Sequence, residues 1–219
     1  MFSRLLNLIF PPKCIFCGGI LDAGSDIFIC DDCYLSIPFM KADYLGKSGN
    51  YCDSIICACE YTGVIKESLK RYKFYNKPGY YSTFGWILSE KIKKVTNFHK
   101  FDIIISVPLH KKREKTRGYN QSLLISRAVA KTLGIPECSW LLERVRDTHS
   151  QSLLGMRERH INIREAFRVT YASKVRDKEI LLIDDILTTG STVEECGRVL
   201  KECGAKHVTA AVIASGRKY

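Results

Sequence analysis

The sequence predicts an α/β fold: a mainly parallel sheet flanked by helices, with a small cysteine-rich domain ahead of it. Three observations carry this. From Asp102 onward, short apolar or β-branched runs alternate with segments of helical periodicity. That order builds parallel sheets covered on both faces. Near the start stand two Cys-x-x-Cys pairs, Cys14/Cys17 and Cys30/Cys33, with twelve residues between them. Finally, residues 180–192 read Ile-Leu-Leu-Ile-Asp-Asp-Ile-Leu-Thr-Thr-Gly-Ser-Thr. There an apolar run ends in two carboxylates, small hydroxyl residues and glycine follow, and a helix begins.

The elements follow in chain order. Residues 1–10 have the apolar spacing of a short helix, stopped by Pro11-Pro12. With Arg4 inside it and no small-residue cleavage site, this stretch is expected to dock on the body rather than serve as a signal peptide. Residues 54–61 alternate in the manner of a strand and carry Cys57 and Cys59. Residues 63–74 read as a helix that places Leu69, Tyr72 and Lys73 on neighbouring turns. A longer amphipathic helix is predicted over 80–95, with Phe84, Ile87, Leu88 and Ile92 on one side. Residues 102–107 form a β-branched run, hence a buried strand. Pro108-Leu109-His110 and a basic loop over 111–118 come next. A helix over 120–133 is closed by Gly134 and Pro136. Strands are predicted at 140–145 and 167–170, with a polar helix over 155–166 between them. The strand 180–183, a helix over 193–203 closed by Gly204, and a last strand at 208–214 complete the chain.

With 219 residues, the chain suits a domain of ordinary size plus an appendage, divided here as 1–45 and 46–219. A hydrophobic content of 46% supplies a core and excludes wholesale disorder. The formal charge is +11, or about +9 once four thiolates share one divalent ion. An anionic partner, phosphate or nucleic acid, is the natural inference, with a solubility surplus as the bland alternative. No stretch approaches the length of a membrane span, so no membrane insertion is expected. Ten cysteines in such a chain point to metal binding and buried thiols in a reducing, cytoplasmic setting. Cys52, Cys57 and Cys59 do not fit a second metal ribbon and are expected to be buried thiols, with Cys138, Cys196 and Cys203 in core positions.

The chemistry follows from residue type and spacing. Two Cys-x-x-Cys hairpins deliver four thiolates to one tetrahedral ion, so Cys14, Cys17, Cys30 and Cys33 are the candidate ligands of a structural Zn2+ with no open position. Ligands of a parallel sheet sit beyond the carboxyl ends of its strands. Two loops qualify, the one after Val107 and the one after Ile183. The first is cationic. The second offers backbone N–H groups, hydroxyls and a helix N-terminus to phosphate, with Gly190 permitting close approach. Asp184 and Asp185 can accept hydrogen bonds from sugar hydroxyls and hold hydrated Mg2+. A sugar with phosphate at both ends would bridge the two loops. The same residue types also make an ordinary strand, turn and capped helix, but paired carboxylates at a strand end repel unless a cation or hydroxyl donors join them.

Assembled, these motifs resemble the ComF family of type I phosphoribosyltransferase-like proteins over almost the whole chain. The family's Leu-Lys-aromatic-Lys-Phe stretch corresponds to residues 69–74, and its Val-Pro-Leu-His element to Val107–His110. Its Arg-Gly-Phe-Asn-Gln motif is present as Arg117-Gly118-Tyr119-Asn120-Gln121, with Tyr in place of Phe. A spaced pattern matches Thr148, Gln151, Leu154, Arg159, Asn162 and Phe167. The resemblance implies the ligand 5-phosphoribosyl 1-diphosphate (PRPP) with Mg2+. It assigns the ribose hydroxyls to Asp184 and Asp185, and the 5-phosphate to Thr188, Thr189, Gly190, Ser191 and Thr192. Pro108, Leu109 and His110 would begin the diphosphate loop, with Lys111 and Arg113 as cationic candidates and Arg117, Asn120 and Gln121 covering or orienting the substrate.

The implied reaction is displacement of diphosphate from ribose C1, which needs cations at the leaving group and rigid placement rather than a protein nucleophile. The resemblance also implies a context of natural competence, with DNA-uptake or helicase machinery as partners and the acceptor unidentified. His110, His149 and His160 are ordinary surface or capping histidines unless the site recruits them; only His110 falls at the predicted site. The alternative is a non-catalytic accessory that binds single-stranded DNA and uses PRPP as a regulatory ligand. Its support is the net charge, the cysteine knuckle and the string Arg71, Tyr72, Lys73, Phe74, where bases could stack on aromatics while cations track phosphates.

Overall fold

The computed structural model describes residues 11–22, 24–25, 27–42, 49–147 and 163–216. Four strands, β1 (Ser54–Glu60), β2 (Ile103–Ser106), β5 (Glu179–Leu187) and β6 (His207–Ser215), form one sheet in the order β1-β6-β5-β2, with every pairing parallel. Register places Ile103 opposite Ile180 and Asp184 opposite Val212. All four strands therefore end at the same edge, where the two predicted loops emerge.

The central strands are apolar at nearly every position because both faces are covered. On one face, Leu181, Ile183, Ile104, Ala211 and Ile213 pack with Leu69 and Tyr72 of α2 (Gly63–Phe74), Phe84 and Leu88 of α3 (Tyr81–Val95), and Ile125 and Val129 of α5 (Gln121–Leu133). The other face joins Ile180, Leu182, Ile105 and Val212 to Val193, Cys196 and Leu200 of α7 (Ser191–Glu202). Gly85 lets α3 and α5 approach closely: a Cβ there would strike the Ala128 methyl.

The cysteine knuckle rests on the first face. Cys14, Ile15, Phe16, Cys33 and Ile37 are buried in the same cluster as α2 and α3, and the short helix α1 (Asp31–Leu35) carries Cys33. Arg71 of α2 reaches across and donates to the carbonyls of Ile15 and Phe16, both at 2.8 Å.

Two expectations change. The basic stretch after Val107 is not a loop but a helix, α4 (Lys111–Arg117). Its apolar periodicity is nil, yet Lys, Arg and Glu are good helix formers. His110 caps it by accepting from the Lys112 N–H, and Gly118 closes it in the left-handed conformation (φ 88°). The second change concerns the strands between β2 and β5. β3 (Leu142–Arg144) and β4 (Phe167–Val169) do not extend the parallel sheet; they form an antiparallel pair of their own and pack Leu142 and Phe167 into the α7-side core. A short helix, α6 (Ala172–Val175), then leads into β5. Cys52, Cys57, Cys59 and Cys196 are buried thiols as expected, whereas Cys138 and Cys203 are only half-buried. The predicted helix over 1–10 and most of that over 155–166 lie outside the described residues, as do Thr148, His149, Gln151, Leu154, Arg159, His160 and Asn162. Among the described residues, no helix is long and apolar enough to cross a membrane.

Candidate sugar-phosphate site and cysteine knuckle

A cleft of about 280 Å³ opens where β2 and β5 end. Asp184 and Asp185 form its floor, Thr188, Gly190 and Thr192 one wall, and Pro108, Leu109, Arg113, Arg117 and Asn120 the other. Two loops far apart in sequence thus face each other across one space, as parallel strands sharing an edge require.

The carboxylates are held in different ways. Ser122, in the first turn of α5, donates its hydroxyl to Asp184 Oδ1 at 2.9 Å, and the Asp185 N–H donates to the same oxygen at 2.9 Å. Asp185 instead receives the ammonium of Lys73 at 2.8 Å. Burial, then the neighbouring Asp185 charge, push the Asp184 carboxyl up to about 7, against the opposing pull of Lys73 and Ser122. Both carboxylates line the cleft rather than the apolar core, Asp184 held by hydrogen-bond donors and Asp185 by a cation.

The phosphate turn begins α7. Gly190 is its N-cap with φ 82°, a conformation that suits glycine and lets the turn fold back without a side chain in the cleft. Thr189 Oγ1 and Ser191 Oγ are 2.7 Å apart and brace the turn, so these two hydroxyls serve the loop's shape while Thr188 and Thr192 line the cleft. On the opposite wall, Asn120 accepts from the N–H groups of Ser122 and Leu123 and donates to the Val107 carbonyl at 3.2 Å, tying α5 to the end of β2. Gln121 accepts from Arg117 at 2.7 Å, and its side chain also meets Tyr119. Among the described residues the cleft has four cations, Lys73, Arg113, Arg117 and Arg144, against two carboxylates. That excess and the acidic floor fit an anionic ligand that also carries hydroxyls.

Not every predicted residue lines this space. His110 stands at the rim as the α4 cap, 3.5 Å from Asp147, and Lys111 is exposed on α4. The proposed nucleic-acid string does not form one surface. Tyr72 is fully buried, with its hydroxyl donating to the Gln121 carbonyl at 2.9 Å, and Arg71 is committed to the knuckle. Lys73 faces the acidic pair, and only Phe74, 66% exposed, keeps an open ring, with the Arg117 guanidinium 5.4 Å from its centre. Helical spacing explains this: three sides of α2 meet three different neighbours. Ser122 and Arg144 were not anticipated as site residues. Ser122 directly follows the Arg-Gly-Tyr-Asn-Gln string in a helix's first turn, which is the signal that could have marked it; Arg144 offers no local signal.

In the knuckle, the ligand atoms of Cys14, Cys17, Cys30 and Cys33 all lie within 4.8 Å of one another. The Cys17 and Cys30 sulfurs are 3.7 Å apart, and four thiolates tetrahedrally around one zinc stand about 3.8 Å apart. The donor set and the spacing both fit a closed four-sulfur metal site.

The phosphoribosyl transferase domain family matches residues 120–219, which hold α5, β5, the phosphate turn and β6. The DNA utilization protein YhgH of Salmonella typhimurium is 31% identical over 157 residues, covering 70% of this chain and 68% of that one. This chain belongs to the ComF family. Competence protein F of Haemophilus influenzae, 26% identical, aligns with 91% of this chain and 95% of its own. Competence protein ComFC of Bacillus subtilis is 31% identical over 66% of this chain and 56% of its own length. ComF proteins thus combine a phosphoribosyltransferase-type sheet with, in this chain, a four-cysteine site seated on its helices.

Proposed function

We propose that this ComF protein binds PRPP with Mg2+ and transfers its phosphoribosyl group to a nitrogenous acceptor in the service of DNA uptake. One observation carries the reading: the acidic pair and the Gly190 turn open into the same cleft, opposite a wall of cations. Asp184 and Asp185 would accept from the ribose hydroxyls. The turn from Thr188 to Thr192, at the N-terminus of α7, would take the 5-phosphate. Arg113 and Arg117 would face the diphosphate. In the reaction the C1–O bond to diphosphate breaks, the electron pair leaves with diphosphate, and the acceptor nitrogen bonds to C1 and gives up its proton. The protein's part is to hold the sugar still, exclude water and meet the charge that gathers on the leaving group. Asp184 and Asp185 would help hold Mg2+, which would supply positive charge to the departing diphosphate. The knuckle would hold a structural Zn2+, and its thiols suit a reducing cytoplasm.

Calorimetric titration with PRPP tests this. Binding is expected with Mg2+ and should weaken about a hundredfold in Asp184→Asn/Asp185→Asn, since two charge-assisted contacts are lost; release of diphosphate with some member of a panel of nitrogenous acceptors would establish turnover. A folded wild-type protein that ignores PRPP sinks the reading.

A second reading has one observation in its favour. Beside the cleft lies a bowl of about 830 Å³ lined, among the described residues, by Lys73, Lys112, Arg113, Lys115 and Arg117 against a single carboxylate, Asp147, with Phe74 at its edge. Single-stranded DNA could follow that surface, with PRPP regulating rather than reacting. Such binding would weaken steeply with salt, and PRPP would bind without any acceptor being consumed.

A further inference from the structure

Helix α2 touches both special sites of the molecule within one turn. Arg71 grips two knuckle carbonyls, Ile15 and Phe16, at 2.8 Å. Tyr72 fills the core and donates to the Gln121 carbonyl, while its own carbonyl accepts from the Tyr119 hydroxyl. Lys73 places its ammonium 2.8 Å from Asp185. Three consecutive residues of α2, Arg71 to Lys73, span from the cysteine loop to the floor of the cleft. We propose that the knuckle, through Arg71, fixes the position of Lys73, and that Lys73 is the protein's own counter-cation in the PRPP site. The affinity part of this rests on the PRPP reading; the mechanical link does not.

The geometry supports the link in three ways. Carbonyls of the Cys14–Cys17 loop have a fixed position only when that loop is closed, and four sulfurs within 4.8 Å close it most firmly around a metal ion. Arg71 meets both carbonyls through one guanidinium nitrogen, Nη2, whose two N–H bonds diverge at a fixed angle, so its grip constrains rotation of α2 about its axis. Rotation would swing Lys73, two positions on, away from Asp185. Arg71 is then a positioning residue and Lys73 a binding residue.

The full-length protein tests this with Arg71→Met, Lys73→Met and the double variant. Zinc content by metal release, amide hydrogen exchange of residues 184–190 and PRPP affinity are read for each. Arg71→Met is expected to retain zinc, yet to speed exchange at 184–190 severalfold and to weaken PRPP binding about tenfold, the loss of a charge-assisted contact. Lys73→Met should do the same without disturbing the knuckle. The double variant should bind PRPP no more weakly than Lys73→Met alone, and Arg71→Lys should restore part of the affinity. Wild-type exchange and affinity in Arg71→Met, or losses that multiply in the double variant, would overturn the link. Should Arg71→Met fail to fold, Arg71→Lys against wild type decides by the same measures. If wild-type protein does not bind PRPP, the functional reading fails, and exchange at 184–190 alone decides whether the knuckle positions the cleft.

Discussion

The knuckle and the cleft each crowd groups of one charge, and they relieve the crowding differently. In the knuckle, burial opposes the Cys14 thiolate, but N–H groups of Cys17, Cys30 and Phe16 lower its pKa to about 7. Burial and then the neighbouring sulfurs push the Cys33 thiol far up. Without a metal, the four sulfurs cannot all ionise together. The cleft has a protein cation in place: Lys73 sits on Asp185, and Ser122 on Asp184. A site completed only by a metal is suited to building structure. One already partly neutralised, and open to solvent, is suited to exchanging ligands.

The largest effect that can break this contrast is metal removal. If the four sulfurs hold a structural ion as proposed, chelation, or Cys14→Ser/Cys33→Ser, removes it and loosens Ile15, Phe16 and Ile37 from the shared core. A fall in melting temperature of about 10 °C or more is expected for a chain of this size. An unchanged melt in protein shown to have lost its metal would mean that the sulfurs need no ion. Next in size is the cleft. Replacing both aspartates by asparagine should weaken PRPP binding about a hundredfold, since two charge-assisted contacts are lost, while the melting temperature does not fall. A melt that collapsed as in the cysteine variant would make the pair structural and erase the contrast.

A pH series in metal-free protein sharpens it further. The Asp184 carboxyl is raised in the folded state to about 7, so it favours folding at acid pH and loses that contribution as pH rises through the neutral range. Asp184→Asn should therefore match wild type near pH 4 and melt higher, by about 5 °C, above pH 7. Equal melting curves throughout would show that Lys73 and Ser122 already satisfy the pair. The smallest effect belongs to the helix between the sites. Tyr72→Phe removes one buried hydrogen bond to the Gln121 carbonyl and is expected to lower the melting temperature by about 3 °C, from about 1 kcal/mol. Retention on single-stranded DNA should be unaffected, because that ring is fully buried.

Much of this was legible without coordinates. The Cys-x-x-Cys pairs announce that their four sulfurs converge because ligand spacing is local. The run from Ile180 to Thr192 announces a strand, an acidic pair and a hydroxyl-rich turn, since each is a property of neighbouring residues. The antiparallel β3–β4 pair was not legible: a short strand carries no mark of the sheet it will join. The α4 helix hid for another reason. Its cap and its closing glycine were visible at His110 and Gly118, but it has no apolar face to give it a period.

By itself, then, the sequence determined the strands of the sheet and most of its helices, which four sulfurs converge, and where the acidic pair and the hydroxyl-rich turn stand. Tertiary structure alone decided where α2 points its side chains: Arg71 to the knuckle, Tyr72 to the core, Lys73 to Asp185 and Phe74 to solvent. Helical periodicity fixes the angles between those side chains. What each meets depends on the knuckle, α3, α5 and β5 packing around the helix, and those contacts join residues scores of positions apart, where no local pattern reaches.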